Sequence, residues 1–260
     1  ERASWFTGMD GWPDNYKDSK KIVKATLSQM LEPCASDIVI NPNDFNIFSR
    51  YNDEEIYWVK GHYADGSPVY VPAQLVFNFF YSDTIDLGSI TSTGLASGNS
   101  MEEAKLHALL EIIERDAKYS GVFGKSSTIL TPEGHSEAVQ KTLEFWNSKG
   151  VDFIIADRTS EFGVPTFFAS TNIYQGGFGS GTHLDPELAI TRAVAEVNMS
   201  TDPKMIMGYG TFDPSTILHG NLKVYDNLSS GNINRDLELV ENVIMGNCFI
   251  PIYVDLTRKD

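Results

Sequence analysis

A chain of 260 residues, 42% of them hydrophobic and 21% charged, is long enough to bury a sizeable core and has the profile of an ordinary globular protein. No run approaches the roughly 18 apolar residues that a membrane-crossing helix needs, so no membrane is expected as a partner. A formal charge of −15 argues against nucleic acid, because affinity for a phosphate backbone comes from Lys and Arg. It suits a protein that holds cations, or one that reaches polyanions through metal ions.

Cys34 and Cys248 form no CxxC pair. They admit one disulfide or two buried free thiols, and a reducing cytoplasm, the expected location, favours the thiols. The chain starts at Glu1 without a charged-then-apolar signal segment, and both ends read as cut from a longer protein.

In chain order, residues 1–8 ("ERASWFTG") read as the last turns of a helix ending at Gly8. Residues 18–31 show helical spacing, with Ile22, Val23, Leu27, Met30 and Leu31 on one side. A hairpin follows, "EEIYWVKGHY" and "VYVPAQLVFNFFY" around the turn pair Asp65-Gly66. "STGLASGNSMEEAKLHALLEIIERDA", residues 92–117, is a strong helix behind a glycine-containing loop. "EAVQKTLEFWNSKG" is an amphipathic helix closed by Gly150; "VDFIIADR" and "VPTFFASTNIY" are strands. The glycine-rich "QGGFGSGTH" reads as a turn into a helix capped by Asp185, with Pro186 and Glu187 in its first turn. Residues 208–235 read as a long polar loop, 236–245 as a helix, and the end of the chain as a strand. Strands and helices alternate, but the hairpin breaks a pure βαβ rhythm, which predicts a mixed sheet with helices.

The acidic helix carries the chemistry. At roughly 100° per residue, Glu103, His107, Glu111 and Glu114 fall within an arc of about 80°, with Arg115 at its edge. Ala104, Leu106, Ala108, Leu109, Ile112 and Ile113 cover most of the opposite side. Glu111 to Arg115 is the one i,i+4 pair that offsets the stripe. Clustered carboxylates repel, and water, protonation or a metal ion relieves them. Two readings stay open: a solvated face, or an oxygen-rich site for Mg²⁺, which favours carboxylates together with substrate phosphates. Glu103 likewise fits either a site or the capping box that starts at Ser100. Ahead of the helix, Gly94 and Gly98 let backbone approach a ligand, and amides there, with Ser97, Asn99 and Ser100, could cradle phosphate at the helix N-terminus. Gly124-Lys125-Ser126 is not a P-loop, because its glycine spacing is too short and it follows a helix. Arg192 and Glu196 are spaced for an i,i+4 ion pair.

"GLASGNSMEEAKLHALLEIIERDA" resembles the signature of the YcaO family, G-x-A-x-G-N-[ST]-x-x-E-A followed by E-x-x-E-R. "SGTHLDPELAITRAVAEV" is similar to that family's later G-x-H-x-D-P helix with its R-x-x-x-E. "ERASWFTG" is similar to the tail of an earlier E-x-x-E-R helix, and "PIYVDLTRKD" to the strand leading towards the C-terminal region. The likeness is ordered and spans the chain.

The resemblance implies an α+β, mixed α/β fold, with largely antiparallel sheets packed against helices, as one domain over residues 1–260 lacking its N- and C-terminal portions. It implies ATP-dependent phosphorylation of a peptide-bond amide, leading to azoline or thioamide in a peptide or protein substrate, with ATP and Mg²⁺ as cofactors. It assigns Glu1, Glu103, Glu111, Glu114 and Glu196 to Mg²⁺, and Asn99, Arg115 and Arg192 to phosphates, with the Gly98–Ser100 backbone beside them. His183 and Asp185 are taken as loop-shaping residues. An E1-like or TfuA-like partner and a homodimer fit the family, and the fragment alone is expected to be inactive. The alternatives are a non-catalytic scaffold that docks a leader peptide or partner enzyme, which replaced glutamates would signal, and a metal-dependent hydrolase, which the lack of a His-rich ligand set disfavours.

Overall fold

A computed structural model describes residues 22–32, 38–45, 49–77, 85–87, 92–119 and 126–257. The expected helix at 1–8, Glu1, Cys34, Gly124 and Lys125 lie outside the described residues. The chain divides into two compact units, one of residues 1–97 and 244–260, the other of residues 98–243.

The first unit is built on one mixed sheet. Strands β1 (Ile22–Ala25), β3 (Ile56–Tyr63), β4 (Pro68–Pro72) and β2 (Ile38–Val39) stand in that order, and β9 (Ile252–Tyr253) also pairs with β3. All pairings are antiparallel except β2 with β4. The β3–β4 hairpin forms as expected: Gly66 takes φ +83° and Asp65 Oδ1 accepts from the Ser67 amide at 2.9 Å. The expectation for 18–31 needs correcting. Ile22 and Val23 are strand residues paired with Val59 and Trp58, and only Leu27–Leu31 is helical (α1). The divider is Thr26, whose hydroxyl accepts from the Gln29 amide while Gln29 returns to the Thr26 amide, so a capping box starts the helix there. Trp58 is fully buried and its indole donates to Ala25 O at 2.9 Å, which ties β1 to β3.

The second unit holds an antiparallel sheet in the order β5 (Ser126–Ile129), β6 (Phe153–Asp157), β7 (Thr166–Thr171), β8 (Phe178–Thr182). Helices α2 (Met101–Tyr119), α3 (Glu137–Asn147), α4 (Pro186–Ser200) and α5 (Pro203–Tyr209) accompany it, and α6 (Ile233–Gly246) precedes β9. Its core joins Val139, Leu143 and Trp146 of α3, Phe153 and Ile155 of β6, Phe167 of β7, and Ala189, Ala193 and Val197 of α4.

From Phe178 to Thr182 the glycine-rich segment is a strand rather than a turn. Gly177 just before it and Gly179 and Gly181 within it alternate and face α4, where a Cβ would come within 2.6, 2.3 and 2.1 Å of the carbonyl oxygens of Val197, Ala193 and Ala189. The period of two in the strand thus meets the period of four along the helix, and only hydrogen fits between them. At the other end of the sheet, Ser127 and His219 exchange backbone hydrogen bonds at 3.2 and 3.1 Å, so the long polar loop is pinned against β5. That loop also docks beside α4 through Leu228 N–H to Leu184 O at 2.9 Å. Cys248, expected to be buried, is an exposed free thiol at φ +67°: it sits in the tight turn after α6, where its amide bonds back to Met245 O and its side chain points outward.

Candidate functional site

Both long helices of the second unit begin with side-chain caps, and both carry site candidates. At α2, Ser100 Oγ accepts from the Glu103 amide at 3.2 Å. The Glu103 carboxylate returns one residue further back than the capping box predicts, to the Asn99 amide at 2.7 Å and the Asn99 side chain at 3.0 Å. Those two donors hold Glu103 below the ordinary carboxylate range. Gly98 lies flat on this first turn, where a Cβ would be 2.6 Å from Ala104 N. Gly98, Asn99, Ser100 and Glu103 therefore form one locked corner, and Ser97 ends the preceding segment of the first unit.

Along α2, Leu106, Leu109, Leu110, Ile113 and Ala117 are buried, whereas Ile112, expected on the apolar side, is exposed. Glu103, Glu111, Glu114 and Arg115 are all half-buried, so the stripe is neither core nor a fully solvated face. Arg115 Nε donates to Glu111 Oε1 at 3.2 Å, the expected i,i+4 pair.

Glu114 and Glu196 meet although 82 positions separate them in the chain. Ser180, on the last strand of the sheet, donates from its amide to Glu196 Oε2 at 2.7 Å and from its hydroxyl to Glu114 Oε1 at 2.7 Å; the same hydroxyl lies 3.4 Å from Glu196 Oε2. Burial pushes the Glu114 carboxyl above its ordinary value; Ser180 and Arg115 oppose that shift, and the charges of Glu196 and Glu111 add to it. A cation added here would relieve the repulsion and favour the carboxylate form.

Arg192 and Glu196 do not form the ion pair that their spacing allows. Arg192 turns to Thr182 O at 3.3 Å, while Glu196 turns to Ser180. Burial lowers the Arg192 guanidinium from its usual value, and the Glu114 charge partly restores it. His183 Nδ1 accepts from the Asp185 amide at 2.9 Å, which places the ring proton on Nε2. Burial, helped by the Arg192 charge, lowers the His183 pKa, so the ring stays neutral near pH 7. Asp185 caps α4 through the Glu187 amide at 2.9 Å and takes Asn227 Nδ2 at 2.8 Å. Both residues shape the loop, as expected.

The described candidates therefore fall into a Gly98–Glu103 corner and a Glu114–Ser180–Glu196 centre, with Glu111–Arg115 along α2 and Arg192 on α4. Among the described residues no three His, Cys, Asp or Glu side chains converge as a complete metal cage. What converges is a pair of carboxylates, the kind of partial oxygen set that Mg²⁺ takes alongside phosphates and water. Sequence reasoning missed Ser180. Its signal was the alternation Gly179-Ser180-Gly181, which puts a lone hydroxyl on the face turned away from the α4 contact.

A mixed sheet, an antiparallel sheet with a helix pressed on a glycine-lined strand, and carboxylates drawn from two helices define an α+β protein with an oxygen-rich site. The chain belongs to the YcaO family: a family model described as "YcaO cyclodehydratase, ATP-ad Mg2+-binding" matches residues 1–260. ATP and Mg²⁺ are the cofactors of that family. An uncharacterized protein of Methanothermobacter thermautotrophicus is 34% identical over 157 residues, 56% of this chain and 41% of that protein. A heterocyclase solved in complex with substrate and cofactor is 22% identical with a TM-score of 0.75, over 91% of this chain and 38% of the other. YcaO from Methanopyrus kandleri, bound with AMPPCP and Mg²⁺, is 21% identical with a TM-score of 0.65, over 98% of this chain and 68% of the other. These two structures share the fold. The chain thus spans about two fifths of the curated relative and of the heterocyclase. No helix among the described residues is long and apolar enough to cross a membrane.

Proposed function

We propose that the protein uses Mg²⁺-ATP to phosphorylate a backbone amide oxygen in a peptide or protein substrate, so that azoline or thioamide forms. The observation that carries the reading is the Glu114–Ser180–Glu196 centre: two carboxylates from separate helices meet on one serine, with Arg192 on the same helix as Glu196. The oxygen-only donor set fits Mg²⁺, and the family membership supports ATP. Both units are taken as one domain, because one family model runs through them.

Glu114 and Glu196 would hold Mg²⁺, with Glu111, Glu103 and, outside the described residues, Glu1. Arg115 and Arg192 would face phosphate oxygens, with Asn99 and the Ser97–Ser100 backbone at the α2 N-terminus. Bound Mg²⁺ would neutralise the triphosphate. The γ-phosphoryl group passes from ATP to the amide oxygen and ADP leaves. A Cys, Ser or Thr side chain of the substrate, or an external sulfide source, adds to the amide carbon, and phosphate departs with the former amide oxygen. The chain's contribution is charge placement, since phosphoryl transfer depends on positioning and electrostatics. Substrate or sulfur delivery falls to an E1-like or TfuA-like partner, and the protein works as a homodimer in the cytoplasm.

Calorimetry with a non-hydrolysable ATP analogue tests the site. Saturable binding that requires Mg²⁺ is expected, and Glu114→Gln or Arg115→Ala should abolish it. Normal binding by both folded variants would overturn the assignment. The mass change of the peptide product then separates azoline from thioamide.

A further inference from the structure

We propose that Ser180 is a positioning residue whose hydroxyl and amide hold Glu114 and Glu196 as a pair facing the divalent cation; this rests on the site reading above. Two helices supply the carboxylates, and a single residue of the strand supplies a separate donor to each. The Ser180 amide serves Glu196 at 2.7 Å and its hydroxyl serves Glu114 at 2.7 Å. That hydroxyl is the one hydrogen-bond donor to Glu114 among the described residues.

The serine cannot drift away from α4. On either side, Gly179 and Gly181 press the strand onto the helix so closely that a Cβ would be 2.3 Å from Ala193 O and 2.1 Å from Ala189 O. The Ser180–Glu196 contact is thereby set by backbone packing. The Ser180–Glu114 contact depends on one side-chain oxygen, and it links α2 to the α4–β8 pair. A hydroxyl has a single proton, and the shorter distance gives it to Glu114 rather than to Glu196 at 3.4 Å. Without that proton the half-buried Glu114 carboxylate loses its hydrogen-bond donor among the described residues and the contact that turns it towards Glu196. The amide bond of Glu196 persists.

The test is titration of Mg²⁺ into the intact protein with the same non-hydrolysable analogue, binding being followed by calorimetry. Ser180→Ala should raise the half-saturating Mg²⁺ concentration about tenfold, the loss typical of residues that orient metal ligands. Ser180→Thr, which retains the hydroxyl, should restore the wild-type midpoint. If Ser180→Ala does not fold, Ser180→Cys, with its weak S–H donor, takes its place with the same expectation. A purely structural serine would lower the thermal midpoint and leave the Mg²⁺ midpoint unmoved, which overturns the proposal. Glu114→Gln and Glu196→Gln are run in parallel. If they bind Mg²⁺ and nucleotide normally, the site reading itself fails. If they lose binding while Ser180→Ala titrates like the wild type, only the role of Ser180 falls.

Discussion

Replacing Gly181 by Ala adds one methyl group at the tightest backbone contact of the second unit. The new Cβ would lie 2.1 Å from Ala189 O, 2.9 Å from Ala193 N and 2.9 Å from the Arg192 Cβ. Non-bonded contacts relax only near 3.5 Å, so β8 and α4 must separate by about 1.4 Å. Overpacking of this kind costs about 1–3 kcal/mol, and two of the three obstacles are backbone atoms that cannot swing aside. The upper end is therefore expected, plus about 1 kcal/mol for the Ser180 amide carried out of reach of Glu196. Urea unfolding followed by tryptophan fluorescence measures the change as a lower midpoint at constant slope. Gly246 is the control, since nothing lies within 4 Å of a Cβ there and it ends helix α6. Gly246→Ala should stabilise by about 0.5–1 kcal/mol. A Gly181→Ala protein that unfolds at the wild-type urea concentration would show that the strand is not pressed on the helix, and the geometry of Ser180 would lose its cause.

Two further outcomes follow from polar contacts. Tyr225 donates to the buried Asp157 Oδ2 at 2.8 Å; burial first, then the hydrogen bond and charge of Asp157, against a lowering contact with Thr159, push its pKa up to about 12 from 10.0. Because the folded value is the higher one, this stabilisation is complete below pH 10 and is lost as pH rises towards 12. Stability measured across that window should fall less steeply in Tyr225→Phe, and an unchanged slope would refute the shift. Asp185→Ala removes the cap of α4, two amide contacts in all, and should destabilise by about 1–2 kcal/mol. The same variant frees Asn227, so a thermal scan should show no rescue by Asp185→Glu if the short side chain is what fits.

Much of the site was legible because it depends on helix periodicity and caps. The stripe of Glu103, Glu111 and Glu114 follows from a turn of roughly 100° per residue, and Asp185-Pro186 announces α4. Three features were not legible. The segment at 18–31 has apolar residues that satisfy a helical period, yet Thr26 divides it, and only pairing with β3 decides that Ile22 and Val23 are extended. Strand β8 contains Gly179 and Gly181 and follows directly on Gly177, a composition that argues for a turn until α4 occupies the space their side chains would fill. The convergence of Glu114 and Glu196 is tertiary, created by a serine whose two carboxylate partners lie on separate helices.

The two ends of the four-stranded sheet are finished differently. At Ser127 a returning loop supplies backbone, whereas at Ser180 a carboxylate stands where a neighbouring strand would donate its carbonyl. An extended polypeptide seeking to join this sheet by strand addition meets an occupied rung at one border and a fixed negative charge at the other. Capture of a chain there would first have to displace Glu196 from the Ser180 amide.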